Sequence, residues 1–211
     1  MGHSLNDFKI TIPDELIAQF PSDKREHAKL LLLNIDNGKV RDDVFFNIGS
    51  FLGPADCVVY NDAKVINARL HGYKVQSDGG KGGQIEILLT RRITDRNWQC
   101  LLRPSRRVKQ GSVITLNDGT GLRVLQSLGE GAFSISFSRD IAYADLLELG
   151  DIPLPKYIKR KPLKIDDVRY QTVFSRKYGA VASPTAGLHF TEHIIETLKA
   201  RGTRFVPITL H

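Results

Sequence analysis

The stretch Ser183-Pro184-Thr185-Ala186-Gly187-Leu188-His189-Phe190-Thr191 sets an imidazole and three hydroxyls just ahead of a helical run. An imidazole titrates near neutrality, so His189 in a pocket is a candidate general base. Backbone N–H groups at a helix start favour an anion or a polar ligand. Pro184 stiffens the bend, and Gly187 would let a ligand approach the backbone closely. The plainer alternative for His189 is a capping or packing role. His189 and His193 stand four apart, but His189 precedes the helix cap and the pattern is not HExxH, so no metal site is expected.

Two further groups could do chemistry. Tyr60-Asn61-Asp62-Ala63-Lys64 follows an apolar run, with Arg69 shortly after. Asn-Asp is ordinary turn chemistry. Asp62, Lys64 and Arg69 could equally meet a ligand at a junction of two domains. Arg103-Pro104-Ser105-Arg106-Arg107-Val108-Lys109 is either a solvated loop or a phosphate-binding one with salt-dependent affinity. Gly79–Gly83 lacks GxGxxG spacing and no GxxxxGK[ST] occurs, which argues against a dinucleotide fold and a P-loop.

The elements that must position these groups can be read in part. Thr191 is placed as an N-cap, Glu192 complements the helix dipole, and Phe190 with Ile195 could form a hydrophobic staple. Ile194, Ile195 and Leu198 make the buried stripe, and Gly202 ends the helix. Upstream, a strand is expected over Phe8–Ile12, a short helix to Phe20, a buried strand over Leu30–Ile35 with a turn at Asn37-Gly38, and a helix over Val44–Leu52. Seven β-rich runs follow: Cys57–Tyr60, Val65–Tyr73, Gln84–Arg91, Trp98–Arg103, Val113–Leu116, Leu122–Leu128 and Phe133–Phe137. Helices are expected over Ile141–Leu149 and Asp167–Arg176, around an extended Gly150–Arg160 connector, and a last strand over Phe205–Leu210. Pro207 puts that strand at an edge or a bulge. The outline is an α/β body, a mixed sheet with helices, interrupted by a small antiparallel β-barrel. Residues 1–56 and 151–211 form the body, and 57–150 the insert.

The charge is concentrated. Residues 91–109 carry seven Lys/Arg against one Asp, and residues 156–177 carry eight against two, within a net charge of +7. Such clusters point to a polyanion, nucleic acid first. The longest aliphatic run, Leu30–Leu33, is too short to span a bilayer, and no apolar segment follows Met1–Ser4 as in a leader peptide. Cys57 and Cys100 belong to no CxxC pair and read as reduced core thiols of a cytoplasmic protein.

Several motifs, in order, resemble one family: the S-adenosylmethionine:tRNA ribosyltransferase-isomerases of queuosine biosynthesis. Pro13-Asp14-Glu15-Leu16-Ile17-Ala18 resembles the family's opening, and Asn61–Leu70 its NDTKVIPARL stretch, with Ala63 and Asn67 in place of Thr and Pro. Gly83–Leu89 resembles GxxEVLL, and Pro153–Ile158 resembles PLPPYI with Lys156 in place of Pro. Arg169–Val173 matches RYQTV, and Ala182–Phe190 matches A-[AS]-PTAGLHF. Family members are longer, so the resemblance covers roughly their first three-fifths, and a fragment is the expectation.

The resemblance implies a soluble, monomeric enzyme using S-adenosylmethionine as a ribosyl donor, with no metal or redox cofactor. The acceptor is 7-aminomethyl-7-deazaguanine at the wobble position of a tRNA with a GUN-type anticodon. Adenine and methionine leave, and epoxyqueuosine forms. It implies His189 as the base, with Asp62 as the second candidate. Lys64, Arg69, Tyr170, Gln171, Thr185 and Gly187 would bind substrate, and Arg103, Arg106, Arg107 and Lys109 the tRNA. The rival expectations are a non-catalytic tRNA-binding fragment and a basic interaction domain without an RNA role.

Overall fold

A computed structural model describes residues 4–211; Met1–His3, part of the segment expected to lack a leader, lie outside the described residues. Strands β1 (Lys29–Leu33) and β2 (Val40–Val44) form an antiparallel hairpin closed at Asn37-Gly38. β3 (Cys57–Asn61) and β4 (Ala63–Val65) follow, then β5 (Arg69–Val75), β6 (Lys81–Arg92), β7 (Asn97–Arg103), β8 (Val113–Leu116), β9 (Gly121–Gly129) and β10 (Ala132–Phe137). The remainder is α1 (Leu146–Leu149), β11 (Gly150–Asp151), α2 (Asp166–Arg169), β12 (Lys177–Ala180), α3 (Glu192–Ala200) and β13 (Arg204–Ile208).

The barrel follows directly from alternation. Trp98, Cys100 and Leu102 on β7, Ile85, Ile87 and Leu89 on β6, and Phe133, Ile135 and Phe137 on β10 point inward at every second position. Strands pair in the order β5-β6-β7-β10-β9-β8, and β8 returns to β5, so six antiparallel strands close and leave no edge. Closure is tight. A Cβ on Gly72 would lie 2.6 Å from the Thr115 carbonyl oxygen, so only glycine fits where β5 meets β8.

Outside the barrel, the described residues make no single mixed sheet. β13 pairs with β3 and β12 with β4, both parallel, as separate two-stranded ladders. They abut at Asp62, whose N–H donates to the Ile208 carbonyl and whose carbonyl accepts from Arg176 and Lys177. The first β-rich run therefore belongs to the body ladders and not to the barrel wall. Barrel and body meet through stacked rings: Tyr143 packs edge-on against Trp98 and stacks on Tyr178 at 5.5 Å.

Helix is sparser than the sequence suggests. Phe45–Ser50 and Asp14–Leu16 are 3₁₀ turns, and α1 and α2 are single turns. Short segments do not recover the cost of nucleation without a packed face. Within 167–176, the Thr172 hydroxyl accepts from the Phe174 N–H, which bends the chain away from a helix. Lys9–Ile12 joins no ladder among the described residues. Cys57 is exposed, contrary to a core thiol, because it lies on the outer face of β3; Cys100 is buried in the barrel.

Candidate active site

The bend Thr185–His189 is a 3₁₀ turn that leads through extended Phe190 into α3. The Thr191 hydroxyl accepts from the Ile194 N–H at 3.3 Å, as an N-cap should. Ile194 and Leu198 bury against Phe45, and Gly202 takes φ +92° just past the helix end. Gly187 does something other than admit a ligand. A Cβ there would stand 3.0 Å from Thr172 Cγ2 and 3.6 Å from the Phe174 ring, so the glycine seats the bend on its own protein.

Three of the residues singled out from the sequence meet in one cavity of about 320 Å³: His189, Tyr170 and Thr185. Phe20, Tyr157, Ile158 and Leu188 supply apolar wall, so a flat organic group suits it. His189 is half-buried beside the Phe45 ring at 5.4 Å. Burial holds its pKa below the ordinary imidazole value; a hydrogen bond to the Arg25 backbone opposes this, and the Arg25 charge adds to it. Burial thus favours the neutral ring. A neutral imidazole carries one N–H donor and one acceptor nitrogen. Burial pushes the Tyr170 phenol up against a backbone hydrogen bond with Ser183, so it stays a neutral hydroxyl.

The cavity rim is an ion pair the sequence did not reveal. Arg160 clasps Asp166 through two bonds of 2.7 and 2.8 Å, and Asp166 also accepts from the Leu163 N–H at 2.7 Å. Asp166 is 3% exposed, and the Arg160 guanidinium holds its carboxyl below the usual range despite burial. Arg160 further donates to the Gln19 carbonyl at 2.7 Å, tying down the N-terminal segment. Two more arginines strap the same region reciprocally. Arg25 donates to the carbonyls of Val168, Arg169 and Leu188, and Arg169 to those of Ser22 and Asp23. The available hint was that Asp166 and Asp167 are the only acids within the basic run 156–177.

Lys64 and Gln171 line a second cavity of about 390 Å³ at the barrel–body junction, with Arg25, Asn67 and Tyr178. Both ends of the Gln171 amide are engaged by the Val65 backbone, at 3.0 and 2.7 Å, so it clamps β4. Lys64 lies 4.4 Å over the Tyr178 ring. Arg25 connects the two spaces, lining the second and bonding Leu188 of the first. Arg69 lines neither; it donates to the Leu154 carbonyl at 3.1 Å. Asp62 also lies apart, buried, accepting from the Thr209 hydroxyl at 2.6 Å with Lys177 at 3.7 Å.

The two basic runs differ in their use. In 156–177, Lys159 pairs with Asp14, Arg160 with Asp166 and Lys177 with Asp62, so much of that charge is spent internally. Arg103, Arg106, Arg107 and Lys109 are exposed, with no ion pair among the described residues. They sit at the far end of β7 from Trp98, and so away from the body. The Lys74 ammonium donates to the Arg107 carbonyl there, and Lys81 lies over Tyr73, which adds two cations to that end.

A family model described as "Queuosine biosynthesis protein" matches residues 5–211. A relative from Geotalea uraniireducens, named S-adenosylmethionine:tRNA ribosyltransferase-isomerase, is 41% identical over 210 residues, covering 98% of this chain and 60% of its own length. A relative of the same name from Trichlorobacter lovleyi is 39% identical over 208 residues, with the same coverages. The crystal structure of the Thermotoga maritima S-adenosylmethionine tRNA ribosyltransferase aligns over 97% of this chain and 58% of its own, at 28% identity and a TM-score of 0.39. The chain spans about three-fifths of the length of the curated relatives it matches.

Proposed function

The chain belongs to the family of queuosine biosynthesis proteins, and from that premise we propose that it carries the donor-binding part of an S-adenosylmethionine:tRNA ribosyltransferase-isomerase. The observation that carries this is the neutral, half-buried His189 on the wall of an apolar cavity of about 320 Å³. The reaction needs a base. The sulfonium of S-adenosylmethionine acidifies the adjacent C5′–H, and a neutral imidazole can take that proton on its unprotonated nitrogen. The aminomethyl group of the 7-deazaguanine attacks, adenine and methionine depart, and the ribose becomes the epoxycyclopentane of epoxyqueuosine. Such a base contributes about 10²–10⁴-fold, and holding two bulky substrates together adds more.

In this reading the apolar wall takes the nucleoside, and Tyr170 and Thr185 offer hydroxyls to its polar groups. Lys64 and Gln171 border the acceptor side at the second cavity. Asp62, buried apart from both cavities, serves as an orienting group through Thr209 and Lys177. Gly187 and Arg69 act on the backbone that shapes the site. Arg103, Arg106, Arg107 and Lys109 hold tRNA phosphates around a GUN-type anticodon, and no metal or redox cofactor takes part.

One observation favours a second reading, that this chain binds tRNA without turnover: the exposed cations Arg103, Arg106, Arg107 and Lys109 have no ion pair among the described residues, in a chain that spans about three-fifths of its relatives. Adenine release from S-adenosylmethionine, with tRNA carrying the 7-aminomethyl-7-deazaguanine, separates the two. Release that falls in His189→Asn supports the enzyme. Salt-dependent tRNA binding with no release supports the binding fragment. Neither signal refutes both.

A further inference from the structure

The β3–β13 ladder turns outward a face of Cys57, Val59, Val206 and Ile208, flanked by Arg204 at one end and Asn61 at the other. In a parallel pair, register partners share a face, so Val206 stands beside Val59, and Ile208 follows two residues on. Their exposures are 44%, 59% and 40%. The opposite face is filled: Phe205 and Tyr60 pack with Phe174 and Phe190. Parallel strands occur almost only with both faces covered, and a contiguous exposed apolar patch marks a contact. Each strand also keeps one edge without a ladder partner among the described residues.

We infer that this face seats a polypeptide equivalent to the two-fifths of the relatives' length that the match leaves out. Two facts select that occupant. The curated relatives are matched over 60% of their length and so contain further chain. The net charge of +7 opposes pairing of two copies. The face is independent of the chemistry proposed above, since neither cavity includes Val59, Val206 or Ile208.

The test is complementation in trans. The chain is co-expressed with the unmatched portion of the Geotalea uraniireducens relative, and the mixture is resolved by size-exclusion chromatography with light scattering. A one-to-one complex is expected, with slowed amide exchange along Cys57–Asn61 and Arg204–Ile208. Val59→Lys and Val206→Lys each weaken capture about tenfold or more, the loss of a buried valine. Leu125→Lys, on the barrel at 37% exposure, leaves capture unchanged. Thermal melts of the free variants match the parent, because these side chains face water. Failure to form a complex overturns the inference, as does capture indifferent to both lysines. A homodimer that the lysines dissociate also overturns it, by assigning the face to a second copy.

Discussion

Replacing Asp166 by Asn removes the charge that holds the cavity rim. The carboxylate accepts two bonds from Arg160 at 2.7 and 2.8 Å and one from Leu163 at 2.7 Å, and is 3% exposed. Asparagine keeps one acceptor oxygen, so the Leu163 bond can survive while the bidentate clasp cannot. Losing one charge-assisted bond costs about 1.5–3 kcal/mol. The cost stays below that of breaking a fully buried pair because the Arg160 side chain is 16% exposed and can reach water. For a chain of this size, about 1.5–3 kcal/mol lowers Tm by about 3–12 °C. The sign with pH is fixed. A carboxyl depressed in the folded state stabilises above its unfolded pKa, about 3.9, and that stability is lost as pH falls through the lower folded value. Urea melts of wild type and Asp166→Asn at pH 7 and pH 3 should therefore show a large difference that shrinks at the acid end. Equal midpoints at pH 7, or a gap that persists undiminished at pH 3, would refute the account of the clasp.

Other outcomes follow from the same geometry. Cys100 is buried and its thiol is pushed up to about 12, whereas Cys57 is exposed. A thiol reagent at pH 8 should therefore titrate one group in the native chain and two after denaturation. Gly72→Ala would set a Cβ 2.6 Å from the Thr115 carbonyl oxygen, and overpacking of this kind costs about 1–3 kcal/mol, visible as a lower urea midpoint. Arg106→Ala should weaken tRNA binding and reduce the slope of log K against log salt by about one; an unchanged slope would remove the barrel end from the interface.

The barrel is legible in the sequence because β6, β7 and β10 alternate buried apolar residues with more exposed ones, and turn clusters separate the strands. Cys57–Tyr60 has the same texture, yet it pairs with β13, nearly 150 residues away, and local pattern carries no such partner. The well-capped α3 is read correctly from Thr191 to Gly202. The expected helices around it shrink to turns, since Thr172 and its neighbours prefer local hydrogen bonds. His189 and Thr185 of one motif line the same cavity as Tyr170 of another, while Lys64 and Gln171 fall in the neighbouring space. Gln19, Arg25, Arg160 and Asp166 escape notice because their partners are backbone carbonyls or a residue six positions off, which no periodicity marks.

The central claim is that the cavity beside His189 receives the sulfonium nucleoside. The most direct measurement is a titration of the chain with S-adenosylmethionine, followed by the imidazole resonances of His189 and the amides of Thr185–Leu188. The account predicts saturable shifts confined to these groups and to Tyr170, with the His189 imidazole titrating below its ordinary value because of burial. Shifts confined to the Lys64–Tyr178 cavity, or an imidazole already protonated at neutral pH, would contradict it.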